Sequence, residues 1–196
     1  MSKANLKANT GTLRIVAGSL RGSRLNVPDM QGLRPTPDRV RETLFNWLAP
    51  MIAGARCLDL YAGTGALGIE AMSRGAGECV LVERDRGLCK LLQDNLTRLQ
   101  VANAKVVNDD VGGFLATPGA PFDLVFLDPP FGANLWAASA LQLEQGGWLQ
   151  HAAFVYVEAA PEADFALPPT WGLHREGQAG AVRFALYRRL PADPLS

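Results

Sequence analysis

The sequence predicts an α/β fold: a doubly wound, mostly parallel sheet with helices on both faces, preceded by a small basic β-hairpin. Three observations predict it. Short apolar runs alternate with amphipathic helical stretches from residue 55 to residue 128, the pattern of βαβ units whose strands are covered on both sides. A glycine cluster of the form G-x-G-x-x-G stands at the first strand-to-helix turn of that series. The chain's 196 residues, 48% of them hydrophobic, suffice for one substantial core and so for one main domain.

In chain order, residues 1–12 are polar and aperiodic and read as a tail. "LRIVAG" (13–18) and "SRLNVP" (23–28) read as two short strands joined through Gly22, a basic hairpin occupying residues 13–32. The main domain is expected over 33–190, with 191–196 as a second tail. It begins with "LRPTPDRVRETLFNWL" (33–48), where Thr36 can cap a helix, Pro37 suits its first position, and Val40, Leu44, Phe45 and Leu48 share a face. Arg39 and Arg41 are expected on the opposite face. Strands follow at 55–61, 79–83, 104–108 and 122–128, and helices at 66–75, 86–100 and 111–116. "FVYVEA" (154–159) and "AVRFALYRRL" (181–190) are late strands suited to an antiparallel edge.

Composition excludes several classes. No apolar run reaches 18 residues and no basic-then-apolar leader is present, so the expectation is a cytoplasmic protein without a membrane span. Cys57, Cys79 and Cys89 lack C-x-x-C spacing and fall in apolar patterns, as reduced core thiols do; with only His151 and His174, no Cys/His metal site is expected. The zero net charge conceals a division: residues 1–56 carry nine basic and three acidic residues, a net +6, and the remainder is at −6. A basic amino-terminal segment on an acidic body points to a polyanion such as nucleic acid, with local pairing of the arginines as the plainer reading. A monomer is expected, because no element shows a spare apolar face.

In doubly wound sheets ligands bind beyond the carboxyl ends of the strands, and the chemistry-bearing residues fall there. Gly63, Gly65 and Gly68 in "LDLYAGTGALGIEA" (58–71) permit close backbone approach, and Glu83, twenty residues after Gly63, ends the next strand where it can accept from a ribose diol. Alone, this fits a nicotinamide dehydrogenase equally well. Asp59, just before the glycines, attracts an ammonium and repels a pyrophosphate, which favours the positively charged S-adenosylmethionine. Such a ligand needs an acceptor nearby, and "FDLVFLDPPF" (122–131) ends the fourth strand of the series with Asp128, Pro129, Pro130 and Phe131. An isolated D-P-P is an ordinary turn; its coincidence with the glycine loop and Glu83 favours a functional one.

"LDLYAGTGALGIEA", "LVERD", "VVNDD" and "FLDPPF", in this order, resemble class I methyltransferases of the [DN]-P-P-[FYW] kind. "RIVAGSLRGSRLNVP", "GLRPTPDRVRETLFNWL" and "LHREGQAGAVRFALYRR" further resemble the RsmD family of 16S rRNA (guanine-N2)-methyltransferases, over about residues 13–190. The resemblance implies a Rossmann-like sheet of seven strands, S-adenosylmethionine as cofactor, and as target guanosine 966 in small-subunit rRNA or the assembling 30S subunit. Asp128 and the Pro129 carbonyl would hold the hydrogens of an exocyclic amine whose lone pair is otherwise delocalised, Pro130 would stiffen the loop, and Phe131 would stack on the base. Asp110 would meet the adenine amine, unless it only caps a helix, and the backbone of Val111 and Arg84 would meet the ring. Leu67 joins the cofactor set, with packing as its simpler job; Tyr61 and the tryptophans read as packing residues. Arg14, Arg21, Arg24, Arg34, Arg39 and Arg41 would contact RNA phosphates. "GANLW" after the clamp is uncharged where some relatives continue with basic residues, which argues against an RNA contact from that loop. Adenine N6 or a glutamine amide remain open as substrates, and a dehydrogenase or a silent RNA-binding module remain the alternatives of another class.

Overall fold

Alternating strands and helices wind into one mixed sheet in the computed structural model, which describes residues 11–28 and 36–190. The amino-terminal pair, β1 (Gly11–Arg14) and β2 (Arg24–Val27), forms a separate antiparallel hairpin. Then come α1 (Asp38–Leu48), β3 (Arg56–Asp59), α2 (Ala66–Ser73), β4 (Glu78–Glu83), α3 (Arg86–Arg98), β5 (Ala104–Asn108), α4 (Val111–Leu115) and β6 (Phe122–Leu127). The chain closes with α5 (Trp136–Gln145), β7 (Leu149–Ala159), β8 (Trp171–Ala179) and β9 (Val182–Arg189). The seven strands stand in the order β5-β4-β3-β6-β7-β9-β8; the first five run parallel, and β9 is antiparallel to both its neighbours. The order reverses between β3 and β6, the switch point at which such sheets open a crevice.

Strand alternation sends side chains into two cores. Cys57, Leu124, Phe126 and Tyr156 meet α1 and the hairpin on one face, while Leu58, Val125, Leu127 and Val157 meet α4 and α5 on the other. All three cysteines are buried and unbonded to one another. Among the described residues no helix is long and apolar enough to cross a membrane, and no group of three or more His, Cys, Asp or Glu is set to hold a metal.

The hairpin is stitched into the domain. Leu13, Ile15 and Leu25 lie in the same core as α1. The fully buried Glu70 on α2 accepts from the backbone amides of Val16 and Ala17 and from Arg41 and Arg74. Arg41, 0% exposed, also donates to the carbonyls of Arg14 and Thr36 and pairs with Asp38. This corrects its expected place on the outer face of α1: a buried guanidinium with five donors can satisfy acceptors from three segments at once, and here it does. Gly18 has a φ of +83°, and a Cβ there would fall 1.9 Å from the Ser73 carbonyl oxygen, so the loop lies directly on α2.

Other expectations shift. Thr36 does not cap α1, whose N-cap is Pro37; its hydroxyl goes elsewhere, as described below. β1 begins at Gly11, inside the expected tail, β7 begins at Leu149 rather than residue 154, and α5 and β8 had no sequence signal as such. β8 is an edge strand with most of its residues exposed or half-exposed, so it lacks the apolar run that marks a buried strand. Arg34 and most of the two tails lie outside the described residues.

Candidate active site

At the carboxyl ends of β3, β4, β5 and β6 the chain gathers the acids singled out above, Asp59, Glu83, Asp110 and Asp128. On the β3 side, the turn from Asp59 to α2 is shaped by two left-handed glycines, Gly63 at φ 52° and Gly65 at φ 78°. The φ of Gly65 strains any L side chain, and a Cβ there would also press on the side-chain ends of Leu92 at 2.6 Å and Ile69 at 2.9 Å beneath the loop. Glu83 fixes the loop from the next strand: one carboxylate oxygen accepts from the Gly63 amide at 2.9 Å and the other from the Asp85 amide at 2.8 Å. Asp59, 3% exposed, accepts from the Gly68 amide at 3.0 Å. Burial pushes its acid up to about 7, against the Gly68 hydrogen bond and with a further push from Glu83.

The turn after β4 is held by the Asn108 side chain, which donates to the carbonyls of Glu83 and Arg84. Asp110 is the N-cap of α4 and accepts from Gly113 at 3.0 Å, and the amide of Val111 opens the helix, where no intrahelical acceptor exists. Leu67 is buried in the core, while Tyr61 is half-buried with its hydroxyl 2.8 Å from that of Ser139 on α5.

On the β6 side, Asp128 and Phe131 are half-buried, Pro129 is buried and Pro130 exposed. Residues Phe131–Ala133 make a single tight turn closed by the Ala133 amide on the Pro130 carbonyl at 2.9 Å. Neither the Asp128 carboxyl nor the Pro129 carbonyl takes a hydrogen bond from the described residues, so both acceptors, just past the carboxyl end of β6, are unspent. Desolvation, then the charges of Glu158 and Asp59, raise the Asp128 acid well above the usual carboxylate range. An aromatic wall stands behind the turn: Phe131 lies 6.3 Å from Trp136, Trp136 stacks on Phe165 at 5.0 Å, and the Arg183 guanidinium sits 5.7 Å over Phe165.

The structure therefore brings Asp59, Gly63, Gly65, Glu83, Asp110 and Asp128 to one end of the sheet. Arg14, Arg21, Arg24 and Arg39 are exposed on the hairpin and α1, and Arg41 is removed from any surface contact by its burial. Sequence reasoning missed Glu158, Tyr156 and Phe165, gave Thr36 only a helix cap and gave Trp136 only packing, which its burial bears out; the five come from four separate segments. The one available signal was the charged Glu158 at the end of the apolar run "FVYV". Two further concavities, of ≈ 420 Å³ and ≈ 370 Å³, lie at the amino ends of the strands and beside the hairpin, the second lined in part by Thr36.

A family described as Conserved hypothetical protein 95 matches residues 13–188. Ribosomal RNA small subunit methyltransferase D of Escherichia coli K12 is 50% identical over 190 residues, 96% of either chain. The protein of the same name from Haemophilus influenzae Rd is 42% identical, over 96% of this chain and 100% of its own. The solved structure of yhhF from Escherichia coli matches with a TM-score of 0.85 at 49% identity, covering 93% of this chain and all of that one.

Proposed function

The chain belongs to the Conserved hypothetical protein 95 family, that of the small-subunit rRNA methyltransferases D, and from that premise we propose that it transfers a methyl group from S-adenosylmethionine to the exocyclic N2 of a guanine in small-subunit rRNA. The observation that carries the amine part of this reading is the pair of unspent acceptors, Asp128 and the Pro129 carbonyl, on a proline-stiffened turn beside the glycine loop.

The cleft suits a cationic nucleoside cofactor. Asp59 and Asp128 are both held toward their neutral forms, by burial first and then by the charge of Glu83 on Asp59 and of Glu158 and Asp59 on Asp128, and a positive ligand relieves what the protein itself leaves uncompensated. Glu83 retains lone pairs beyond its two backbone bonds for a ribose diol, and the Val111 amide and the outer oxygen of Asp110 suit an adenine edge. When bound, S-adenosylmethionine supplies an electrophilic methyl group on a sulfonium.

The chain's own residues prepare the acceptor. A guanine amine is a poor nucleophile because its lone pair is delocalised into the ring. Asp128 and the Pro129 carbonyl, accepting its two hydrogens out of the ring plane, favour a pyramidal nitrogen with a localised lone pair. Neither proline offers an N–H to compete for those positions. Phe131 gives the extruded base a face, with stacking of roughly 1–3 kcal/mol, and the Trp136–Phe165 stack supports it from behind. Arg14, Arg21, Arg24 and Arg39 form the phosphate-facing surface, and the protein acts as a cytoplasmic monomer on rRNA or the assembling 30S subunit.

The test is transfer of labelled methyl to undermethylated small subunits and to naked rRNA, with nucleoside analysis of the product. N2-methylguanosine is expected, mapped to position 966. N6-methyladenosine or labelled protein would replace the substrate, and absence of transfer with RNA binding intact would defeat the reading.

A further inference from the structure

Asp128 has a companion carboxyl. Leu127 on β6 pairs with Val157 on β7, so the next residues, Asp128 just past β6 and Glu158 still within β7, stand side by side. Alternation puts both on the sheet face that carries Phe126 and Tyr156. Glu158 is only 4% exposed, and a single oxygen of its carboxylate accepts from the Thr36 hydroxyl at 3.0 Å and the Tyr156 hydroxyl at 2.9 Å. Its backbone carbonyl accepts from the Trp136 indole at 2.8 Å. Segments ahead of α1, in β7 and at the start of α5 thus converge on one glutamate that the glycine loop and the hairpin do not use.

The asymmetry between the two acids is geometric. Glu158 has two hydroxyl donors, the arrangement that supports a buried carboxylate, whereas Asp128 has none from the described residues. Two adjacent carboxyls, one of them buried, do not both ionise readily.

We propose that Glu158 is a positioning residue for the amine clamp: fixed as a carboxylate by Thr36 and Tyr156, it keeps the one proton that the pair retains on Asp128 until a cation occupies the cleft. The inference rests on the amine-methylation reading. It makes the clamp's second acceptor conditional, since a protonated Asp128 offers an O–H where the amine needs a lone pair. On cofactor binding the O–H bond of Asp128 breaks, its electron pair stays on the carboxylate oxygen, and the proton leaves to water.

The other groups facing the pair agree with this assignment. Burial and the charges of Glu158 and then Asp59 push Asp128 well above the usual carboxylate range; burial raises Glu158 as well, but there the bonds from Tyr156 and Thr36 act against it, and Asp128 has no such opposition. On the Thr36 side the nearest guanidinium, Arg41, is committed to the Thr36 and Arg14 carbonyls, Asp38 and Glu70. No cation of the described residues is paired with either acid.

The experiment is a carboxyl carbon NMR titration of the cofactor-free protein, with the Asp128 signal assigned from Asp128→Asn. The wild-type midpoint is expected above the usual carboxylate range. Glu158→Gln removes the neighbouring charge and lowers it by about a unit or more. Tyr156→Phe keeps the ring and the fold, lets Glu158 take the proton more readily, and shifts the Asp128 midpoint in the same direction by less. In parallel, the acid limb of kcat at saturating cofactor moves to lower pH in both variants. An Asp128 midpoint unmoved in the two variants, or a kcat that falls with its acid limb in place, would overturn the proposal. Shifted midpoints in a protein whose wild type transfers no methyl group would support the carboxyl pairing and sink the amine-methylation reading instead.

Discussion

The two halves of the cleft use their acids in opposite ways. Around β3 and β4 each carboxylate is already bonded to the chain: Glu83 to the amides of Gly63 and Asp85, Asp59 to that of Gly68, Asp110 to that of Gly113. Around β6 and β7 Asp128 and the Pro129 carbonyl carry no bond from the described residues, and Glu158, satisfied by two hydroxyls, stands beside Asp128. The first half spends hydrogen bonds to shape backbone around a ligand, so its acids are scaffold as well as contact. The second half withholds acceptors for a group that must be altered, and that leaves the free protein with a half-buried carboxyl that has no donor among the described residues.

Removing an unspent acceptor should therefore cost turnover without costing the fold. Asp128→Ala is expected to lower kcat by roughly a hundred- to ten-thousand-fold while the dissociation constant of the cofactor analogue S-adenosylhomocysteine stays within a few-fold, since nothing in the β3 half leans on it. Stopped-time methylation and calorimetry on the same sample check both. Unchanged turnover would erase the distinction between the halves.

A change of intermediate size separates shaping from charge in the β3 half. Asp59 rises from the usual 3.8 to about 7, so between those values the folded protein holds a proton that the unfolded chain releases. Its contribution to stability is full below about pH 4 and is lost as pH rises through about 7. Asp59→Asn keeps an oxygen for the Gly68 amide but never ionises. It is expected to melt higher than the wild type above pH 7, by about several degrees, and to bind S-adenosylmethionine roughly tenfold or more weakly. The wild type's gain of affinity between pH 6 and pH 8 should vanish in the variant. Thermal melts and binding isotherms across that range decide it, and an unchanged affinity would move the ammonium contact elsewhere.

How far the cleft could be read from the sequence follows the same division. The β3 half was legible because glycines after a strand and an acid twenty residues on are constrained by local geometry. The clamp was legible because Asp-Pro-Pro is a poor continuation of an apolar strand. Glu158, Thr36 and Tyr156 were not, since each is an ordinary strand or cap residue until the β6/β7 register and the start of α1 bring them together across 122 positions. Arg41 misled for a related reason: helical periodicity assigns a charge to the outer face, and only the tertiary placement of Glu70 and the hairpin carbonyls reverses that. The parallel strands were plain as apolar runs, whereas β8, polar and at the edge, carried no such mark.

The smallest expected effect bears on Asp110, where shaping and contact reside in one side chain. One oxygen caps α4, a helix of five residues with little else to hold its first turn. Asp110→Ala loses that cap and should cost about 1 kcal/mol of stability along with a few-fold in cofactor affinity. Asp110→Ser supplies a hydroxyl that caps nearly as well, so the melting temperature should return toward the wild-type value. Serine is too short to reach outward while it caps, and affinity should stay reduced if the second oxygen meets the adenine amine. Affinity restored together with the cap would make Asp110 scaffold alone, and would place every acid of the β3 half except Asp59 and Glu83 among the residues that only hold the backbone in place.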